Sequence, residues 1–568
     1  MHIHDVLIIG AGPCGLAVAA RLHEHTPSAT FTDDEHQRYH WIRKHGRRMN
    51  IKNYKTNIDS LSKHSLSQGK PEPEQTGKES KVGMLVLDAD GADWMTKWNR
   101  LFKKFGIQYL RSPMFFHVDP SDRDALLGYT FEENRGTELQ ALPGCVGKEV
   151  SKHRKKKKRN MNGNGRVSQS GADIDERDRK DYFTPSSSLF ASHCNEIKAR
   201  YGLAERLIQQ ERVLDIEYNE IGDYQDSEND SVISDDSLDD EKKVFRVTSD
   251  KGIHLAHVVV LAIGPGNAPS IPTIPGLLSC ASHVGYCHAM QLGQFPPPHM
   301  IRKIENMAAT NMLIVGGGLT SIQLADLAIK RGVSKVWLLM RGSLKVKYFD
   351  VDLDWVGKFR NVNQATFWSA DTDEERLEMI LKARNGGSIT PRYRKVLDAH
   401  MASGKISLHT YTTLQSLSWN EDLQAWTSVA TSPDLPFPSI DFIVFATGIQ
   451  SNITSIPFLQ TMQRKYPIDC VGGLPCLSDD LMWSDDVPLF VTGRLAGLRL
   501  GPGAPNLVGA RVGAERIAWN IEDVLQKIGK ARREESTETT QEIADEKVME
   551  YAAGRRNRFD SLVGVTSN

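Results

Sequence analysis

Apolar residues along this chain fall into short runs that end at glycine. Val6-Leu7-Ile8-Ile9 leads straight into Gly10-Ala11-Gly12-Pro13-Cys14-Gly15, after which Ala17, Val18, Ala19, Ala20 and Leu22 recur at helical spacing. A continuous apolar run predicts a buried strand, the glycines a tight turn, and the 3.6-residue period a helix. The succession repeats at Met312-Leu313-Ile314-Val315, Gly316 to Ser321, and Ile322, Leu324, Ala325, Leu327 and Ala328. Three more strand-like runs close on Gly264, Gly448 and Gly493, and Gly501 to Asn506 opens a further helix through Val508, Val512, Ile517 and Trp519. Strand, turn and helix in this order predict an α/β fold with two Rossmann-like, three-layer ββα dinucleotide-binding domains, the second inserted in the first.

The glycine spacing carries the candidate chemistry. In G-x-G-x-x-G, Gly10 permits the turn, Gly12 lets a pyrophosphate approach the backbone, and Gly15 lets helix and strand pack closely, while Pro13 suits the first helical turn. The free N–H groups of that helix end favour an anion. A second apolar run, Ala29-Thr30-Phe31-Thr32, ends at Asp33, eighteen residues after Gly15, near the offset of an acid that binds an adenosine ribose. The second motif, Gly316-Gly317-Gly318-Leu319-Thr320-Ser321, reads G-x-G-x-x-S, and its next strand, Lys335 to Met340, ends in Arg341 in place of an acid. An arginine there accommodates a 2′-phosphate, which favours NADPH over NADH. Ser343, Lys345 and Lys347 either extend that pocket or are surface residues. The aromatic and basic stretch around Trp41 is either a loop or a wall of the flavin or substrate site. Gly448, Gly493 and Asn506 mark turns where chain meets cofactor, with the helix after Asn506 aimed at a flavin edge.

Composition narrows the class. At 568 residues the chain exceeds one core, and 70 Lys plus Arg against 71 Asp plus Glu argue against general adhesion to nucleic acid or membrane. The seven cysteines contain no C-x-x-C pair, so a redox-active dithiol and a zinc site are not expected. No run reaches the length of a membrane span, and a cytoplasmic protein is expected. The basic block Lys152 to Arg159 also satisfies the minimal need of a nuclear import signal. The expected division is 1–275, carrying disordered insertions near 67–81, 148–175 and 223–243, then 276–440, 441–529 and a polar tail at 530–568.

Two such units in this order, with Leu110-Arg111-Ser112-Pro113, His117, Asp119-Pro120, Tyr182 to Pro185 and Ala446-Thr447-Gly448 between and after them, resemble the two-dinucleotide-binding flavoprotein monooxygenases, most of all the lysine/ornithine N-hydroxylase type. The resemblance implies FAD at the first motif and NADPH at the second. It also implies a C4a-peroxyflavin, formed with molecular oxygen, that hydroxylates a small-molecule nucleophile such as an amine, with no side chain obliged to do covalent chemistry. Arg111 and His117 are basic groups that either meet an anionic substrate or hold a turn. The pattern departs from the family at Arg494, where many flavoproteins of this fold carry an aspartate after the glycine, and the full F-x-G-x-x-x-H signature is missing around Gly276 and His283. Two other readings stay open: a flavoprotein that releases peroxide, and a non-catalytic relative similar to the oxidative-stress-induced growth inhibitors that acts through partners.

Overall fold

The computed structural model describes residues 2–24, 82–142, 145, 182–203, 207–221, 243–264, 268–280, 282, 284–357 and 360–534. Asp33, Trp41, His283, the basic block, nearly all of the expected insertions and the end of the tail lie outside them.

From the N-terminus, β1 (Ile3–Ile9) feeds α1 (Pro13–Leu22), and β2 (Met84–Leu87) leads to α2 (Thr96–Phe105). Then come α3 (Ser187–Arg200), β3 (Ile208–Gln209), the antiparallel pair β4 (Val213–Glu220) and β5 (Lys243–Ser249), and β6 (Ile253–Leu261). The middle of the chain supplies β7 (Tyr286–His288), β8 (Asn311–Val315), α4 (Leu319–Lys330), β9 (Lys335–Met340), α5 (Asp373–Arg384), α6 (Pro391–Ala402) and β10 (Ile406–Thr410). The remaining labelled elements are β11 (Thr413–Asn420), β12 (Ala425–Ser432), β13 (Phe442–Phe445), β14 (Met482–Ser484), β15 (Val487–Val491) and α7 (Leu507–Glu534).

Among the described residues the strands form two principal sheets. The first runs β14-β15-β6-β1-β2-β3, with β5 pairing both β4 and β6. Its central strands are parallel: Val6 sits opposite Val258 on one side and Met84 on the other. The second, β7-β13-β8-β9-β10, is parallel throughout, and all of its strands fall in sequence between β6 and β15 of the first.

Parallel strands are covered on both faces, so their runs are continuously apolar, and alternate residues feed different cores. In the second sheet Met312, Ile314, Leu338, Met340 and Val444 pack with Ile322, Leu324 and Ala325 of α4 and Leu397 of α6. Leu313, Leu339, Ile443 and Phe445 turn the other way, onto Leu417 of β11 and Trp426 and Val429 of β12. This unit is therefore helices, sheet and β-hairpin in three layers. Trp426 is fully buried, and its indole N–H donates to the Gly285 carbonyl at 2.9 Å, whereas the neighbouring Trp419 keeps a buried indole N–H without a partner among the described residues.

Two local features turn on prolines. Residues 107–117 do not form a strand. Pro113 removes a ladder donor, and the segment bends through turns tied by Leu110 N–H to Pro185 O and Met114 N–H to Phe183 O. The helix at Ser187 starts from Ser186, whose hydroxyl accepts the Leu189 N–H at 2.9 Å, while Pro185 ends the short strand before it.

Candidate functional site

The first glycine loop has the form a dinucleotide needs. Gly10 has φ +109° and a Cβ there would lie 2.6 Å from the Ala262 carbonyl oxygen, so only glycine connects β1 to α1 beside β6. A Cβ on Gly15 would lie 2.0 Å from the Gly10 oxygen. At Gly12, by contrast, a Cβ would meet no described atom within 4 Å. The chain is tight around the loop and open at its middle glycine, which is where a pyrophosphate would approach. Pro13 opens the helix after Gly12.

The carboxylate beside this loop is Asp88, which sequence reasoning missed. β2 lies parallel to β1 and ends at Leu87. Asp88 then accepts the Ala11 N–H at 2.7 Å through Oδ2 and the Asp90 N–H at 2.7 Å through Oδ1. The available signal was the four-residue apolar run Met84-Leu85-Val86-Leu87 ending in an acid. Gly493 also belongs here: it follows β15, and a Cβ on it would come within 3.1 Å of Cys14 Sγ. Burial pushes the Cys14 thiol up to about 11, partly opposed by the Thr492 hydroxyl, so it is not a nucleophile.

The second loop repeats the design. Gly316 has φ +149°, and a Cβ would sit 2.4 Å from the Ala446 oxygen and 2.7 Å from Ser321 Oγ; at Gly318 the space is open. Ser321 is fully buried and its Oγ has no partner among the described residues, so it fills the position of the third glycine without a polar role inside the chain. A second glycine turn closes on this one: a Cβ at Gly387 would lie 3.1 Å from the Gly318 Cα. Thr447 donates its hydroxyl proton to the Ser270 carbonyl, and the Gly448 carbonyl accepts the Ser270 N–H at 3.1 Å.

A cavity of about 1040 Å³ extends from this loop. Gly316, Gly318, Thr320, Arg341 and Gly448 line it on the side of the second sheet, and Arg494, Gly497, Gly501 and Pro505 on the side of the first. Asn506 neighbours this wall, where its amide donates to Asp350 Oδ1 at 3.0 Å; Asp350 Oδ2 accepts from Arg384 at 2.8 Å. Lys345 donates to the Asn385 carbonyl and side chain at 2.7 Å each, and Lys347 pairs with Asp352 at 2.7 Å; both tie down the loop after Arg341.

Arg111 reaches the cavity wall with its guanidinium engaged. It donates to the carbonyls of Lys347, Tyr348, Phe349 and Ser388 and to the Ser388 hydroxyl, at 2.6 to 3.2 Å. Burial lowers its pKa to about 10, against the pull of Asp350. His117 is elsewhere and fully buried: its Nε2–H donates to the Arg123 carbonyl at 2.7 Å, and its Nδ1 accepts the Asp119 N–H at 3.2 Å. Desolvation, reinforced by Arg511 and His193, lowers its pKa to about 3. Asp119, His193 and Glu196 bring their ligand atoms within 4.8 Å of one another, but Arg200 already bridges the two carboxylates, at 2.7 Å to Asp119. The cation of that cluster is a guanidinium.

Two sheets with parallel central strands, β1 of the first and β8 of the second each running into a glycine loop, define a fold with two Rossmann-like units. Among solved structures the chain is similar to an ornithine hydroxylase from Pseudomonas aeruginosa, at 15% identity over 92% of this chain and 100% of that one, TM-score 0.54. It is similar to a cadaverine monooxygenase from Erwinia amylovora bound to FAD, at 14% identity over 92% and 95%, TM-score 0.54. It also resembles an ornithine N-hydroxylase from Kutzneria with reduced FAD, NADP+ and L-ornithine, at 12% identity over 92% and 99%, TM-score 0.56. No family model and no curated protein sequence matches the chain. At these identities the likeness is one of fold. No helix among the described residues is long and apolar enough to cross a membrane.

Proposed function

We propose that this chain is an FAD- and NADPH-dependent monooxygenase that hydroxylates a small-molecule nucleophile with molecular oxygen. The observation that carries the reading is the pair of glycine loops, each sterically closed at its first glycine and open at its middle one, with one cavity running from the second loop to the edge of the first sheet. The expected boundary at 440 falls too early, because β13 (Phe442–Phe445) pairs within the second sheet; in this reading the NADPH unit runs from 276 through β13, and the FAD unit comprises 1–275 and the chain from there to 529. Solved structures that share the fold hold FAD, or reduced FAD with NADP+, which supports the same pair here.

When bound, the flavin supplies hydride acceptance and oxygen activation. The chain supplies position. Gly12 leaves the loop open for a pyrophosphate, Asp88 holds the Ala11 amide and thereby the loop's shape, and the first turn of α1 presents its N–H groups. Asp33, beyond the described residues, remains our candidate for a ribose contact, and Trp41 for a wall of the flavin site. Gly318 and Thr320 seat the second pyrophosphate, and Arg341, on the cavity wall at the end of β9, faces the 2′-phosphate. Gly448, Gly493 and the Asn506 turn bound the space between the two. Leu377, Ile380, Leu381 and Leu474 give the cavity an apolar side that excludes water from the reacting atoms.

The test is to load the purified protein with FAD and follow NADPH, oxygen and peroxide with amine, amino-acid and ketone panels. Oxygen incorporated into one substrate class, with less peroxide than NADPH consumed, is expected. Peroxide equal to NADPH under every substrate would make the protein an oxidase, and a protein that retains no flavin would leave only a partner-binding role.

A further inference from the structure

Four arginines line the cavity, and they are not alike. Arg111 is engaged by carbonyls, and Arg384 donates to Asp350 and to the Pro502 carbonyl at 3.0 Å. Arg341 and Arg494 form no hydrogen bond or ion pair with any described residue. Arg341 follows β9 of the second sheet and answers the 2′-phosphate of NADPH. Arg494 is on the other side: it follows β15 of the first sheet, directly after Gly493, which abuts Cys14. Desolvation and the neighbouring Arg384 charge both lower its pKa, so its surroundings oppose the positive charge and hold no described counter-ion. Such a charge is stabilised when an anion arrives.

Beside these charged groups the cavity has an apolar side. Leu377, Ile380 and Leu381 of α5 face the cavity, with Leu474 beside them. The one carboxylate among the described lining residues is Asp350, already shared by Arg384 and Asn506. Among the described lining residues on this side, an ammonium group would find two guanidinium groups and no unshared acid.

We propose that Arg494, supported by Arg384, receives the carboxylate of the substrate while its body lies against Leu377, Ile380, Leu381 and Leu474, so that the substrate class is an apolar small molecule bearing an anion and not a basic amino acid or diamine. This rests on the monooxygenase reading and sharpens it. The chemistry is recognition alone: a charge-assisted, bidentate contact fixes one end of the molecule and apolar contact aligns the other.

Binding to the FAD-loaded protein tests it, with octanoate and phenylacetate as anionic probes, L-ornithine and cadaverine as cationic ones, and NADP+ as control, read by flavin difference absorbance and calorimetry. The two monocarboxylates are expected to bind and cadaverine not; L-ornithine, whose own carboxylate is opposed by two ammonium groups beside the guanidinium pair, is expected to bind more weakly than either monocarboxylate. Arg494→Gln is expected to weaken the carboxylates by about tenfold or more, Arg494→Lys by less, with NADP+ and FAD affinities unchanged within about twofold. Ornithine or cadaverine binding in preference to the carboxylates would overturn the proposal. So would an Arg494→Gln variant that loses NADP+ or FAD to the same degree, because the arginine would then serve a cofactor phosphate. A protein that holds FAD and NADP+ but neither carboxylate defeats this inference alone, whereas one that holds neither cofactor defeats the reading beneath it.

Discussion

Gly12 and Gly15 belong to one motif and have opposite structural consequences. A side chain at Gly12 meets open space, whereas one at Gly15 would overlap the Gly10 carbonyl at 2.0 Å. Gly12→Val is therefore expected to fold with unfolding free energy within about 1 kcal/mol of the parent apoprotein and yet to retain no FAD. Gly15→Val is expected to lose several kcal/mol, on the order of a severe overpacking. Thermal melts and the ratio of flavin to protein absorbance separate the two. Arg341→Ala should weaken NADPH by at least about tenfold and leave NADH unchanged, since a charge-assisted phosphate contact is worth roughly 1.5–3 kcal/mol; equal losses for both nucleotides would remove Arg341 from the 2′-phosphate. Both glycine loops and the place of Arg341 at the end of β9 were legible in the sequence because those features are local. The fate of Arg111 was not, because the Lys347, Tyr348, Phe349 and Ser388 carbonyls that hold it are far away in the chain and any residue type would present them.

At the scale of elements, the apolar runs predicted the parallel strands well, since a strand covered on both faces must be apolar throughout. Segments fixed by tertiary hydrogen bonds were harder to read. Residues 107–117 carry apolar side chains without a ladder, and β2 is only four residues long, too short for a periodicity to announce Asp88. The polar cluster around α3 has a pH signature. His117 is neutral in the folded state because its Nδ1 must accept the Asp119 N–H, and its pKa falls from 6.5 to about 3. The unfolded chain takes up a proton below about pH 6.5 and the native state resists it, so this contribution to stability declines as the pH falls from there toward 3. Asp119, held far below the usual carboxylate range by His193 and Arg200 in spite of its burial, adds stability above about pH 4 that is lost on further acidification. Urea melts from neutral pH down to about pH 3.5 should show that decline, and His117→Asn should flatten it while lowering stability at neutral pH. A profile identical in the variant would contradict the assignment.

At the scale of the whole molecule, the two sheets are joined by contacts that no motif encodes. Arg111, on the segment after α2, binds the loop between β9 and α5, and Asp350 links Arg384 of α5 to Asn506 at the start of α7. Arg111→Met is expected to cost on the order of 3 kcal/mol or more, because it leaves four buried or half-buried carbonyls without that donor, and to lower NADPH affinity by loosening the cavity wall. Calorimetric unfolding with and without NADP+ measures both effects. The order of the two units followed from sequence, since each unit announces itself within about thirty residues. The charge of the cavity between them emerges only from the fold, which brings Arg111, Arg341, Arg384 and Arg494 together.

On the proposed reading the first loop holds FAD and the second delivers NADPH to it. The direct measurement is anaerobic mixing of the FAD-loaded protein with NADPH or NADH while the visible absorbance of the flavin is followed. Bleaching by NADPH at concentrations where NADH is much slower is the predicted result; a protein that gains no bound flavin, or whose flavin NADPH leaves oxidised, would contradict the account.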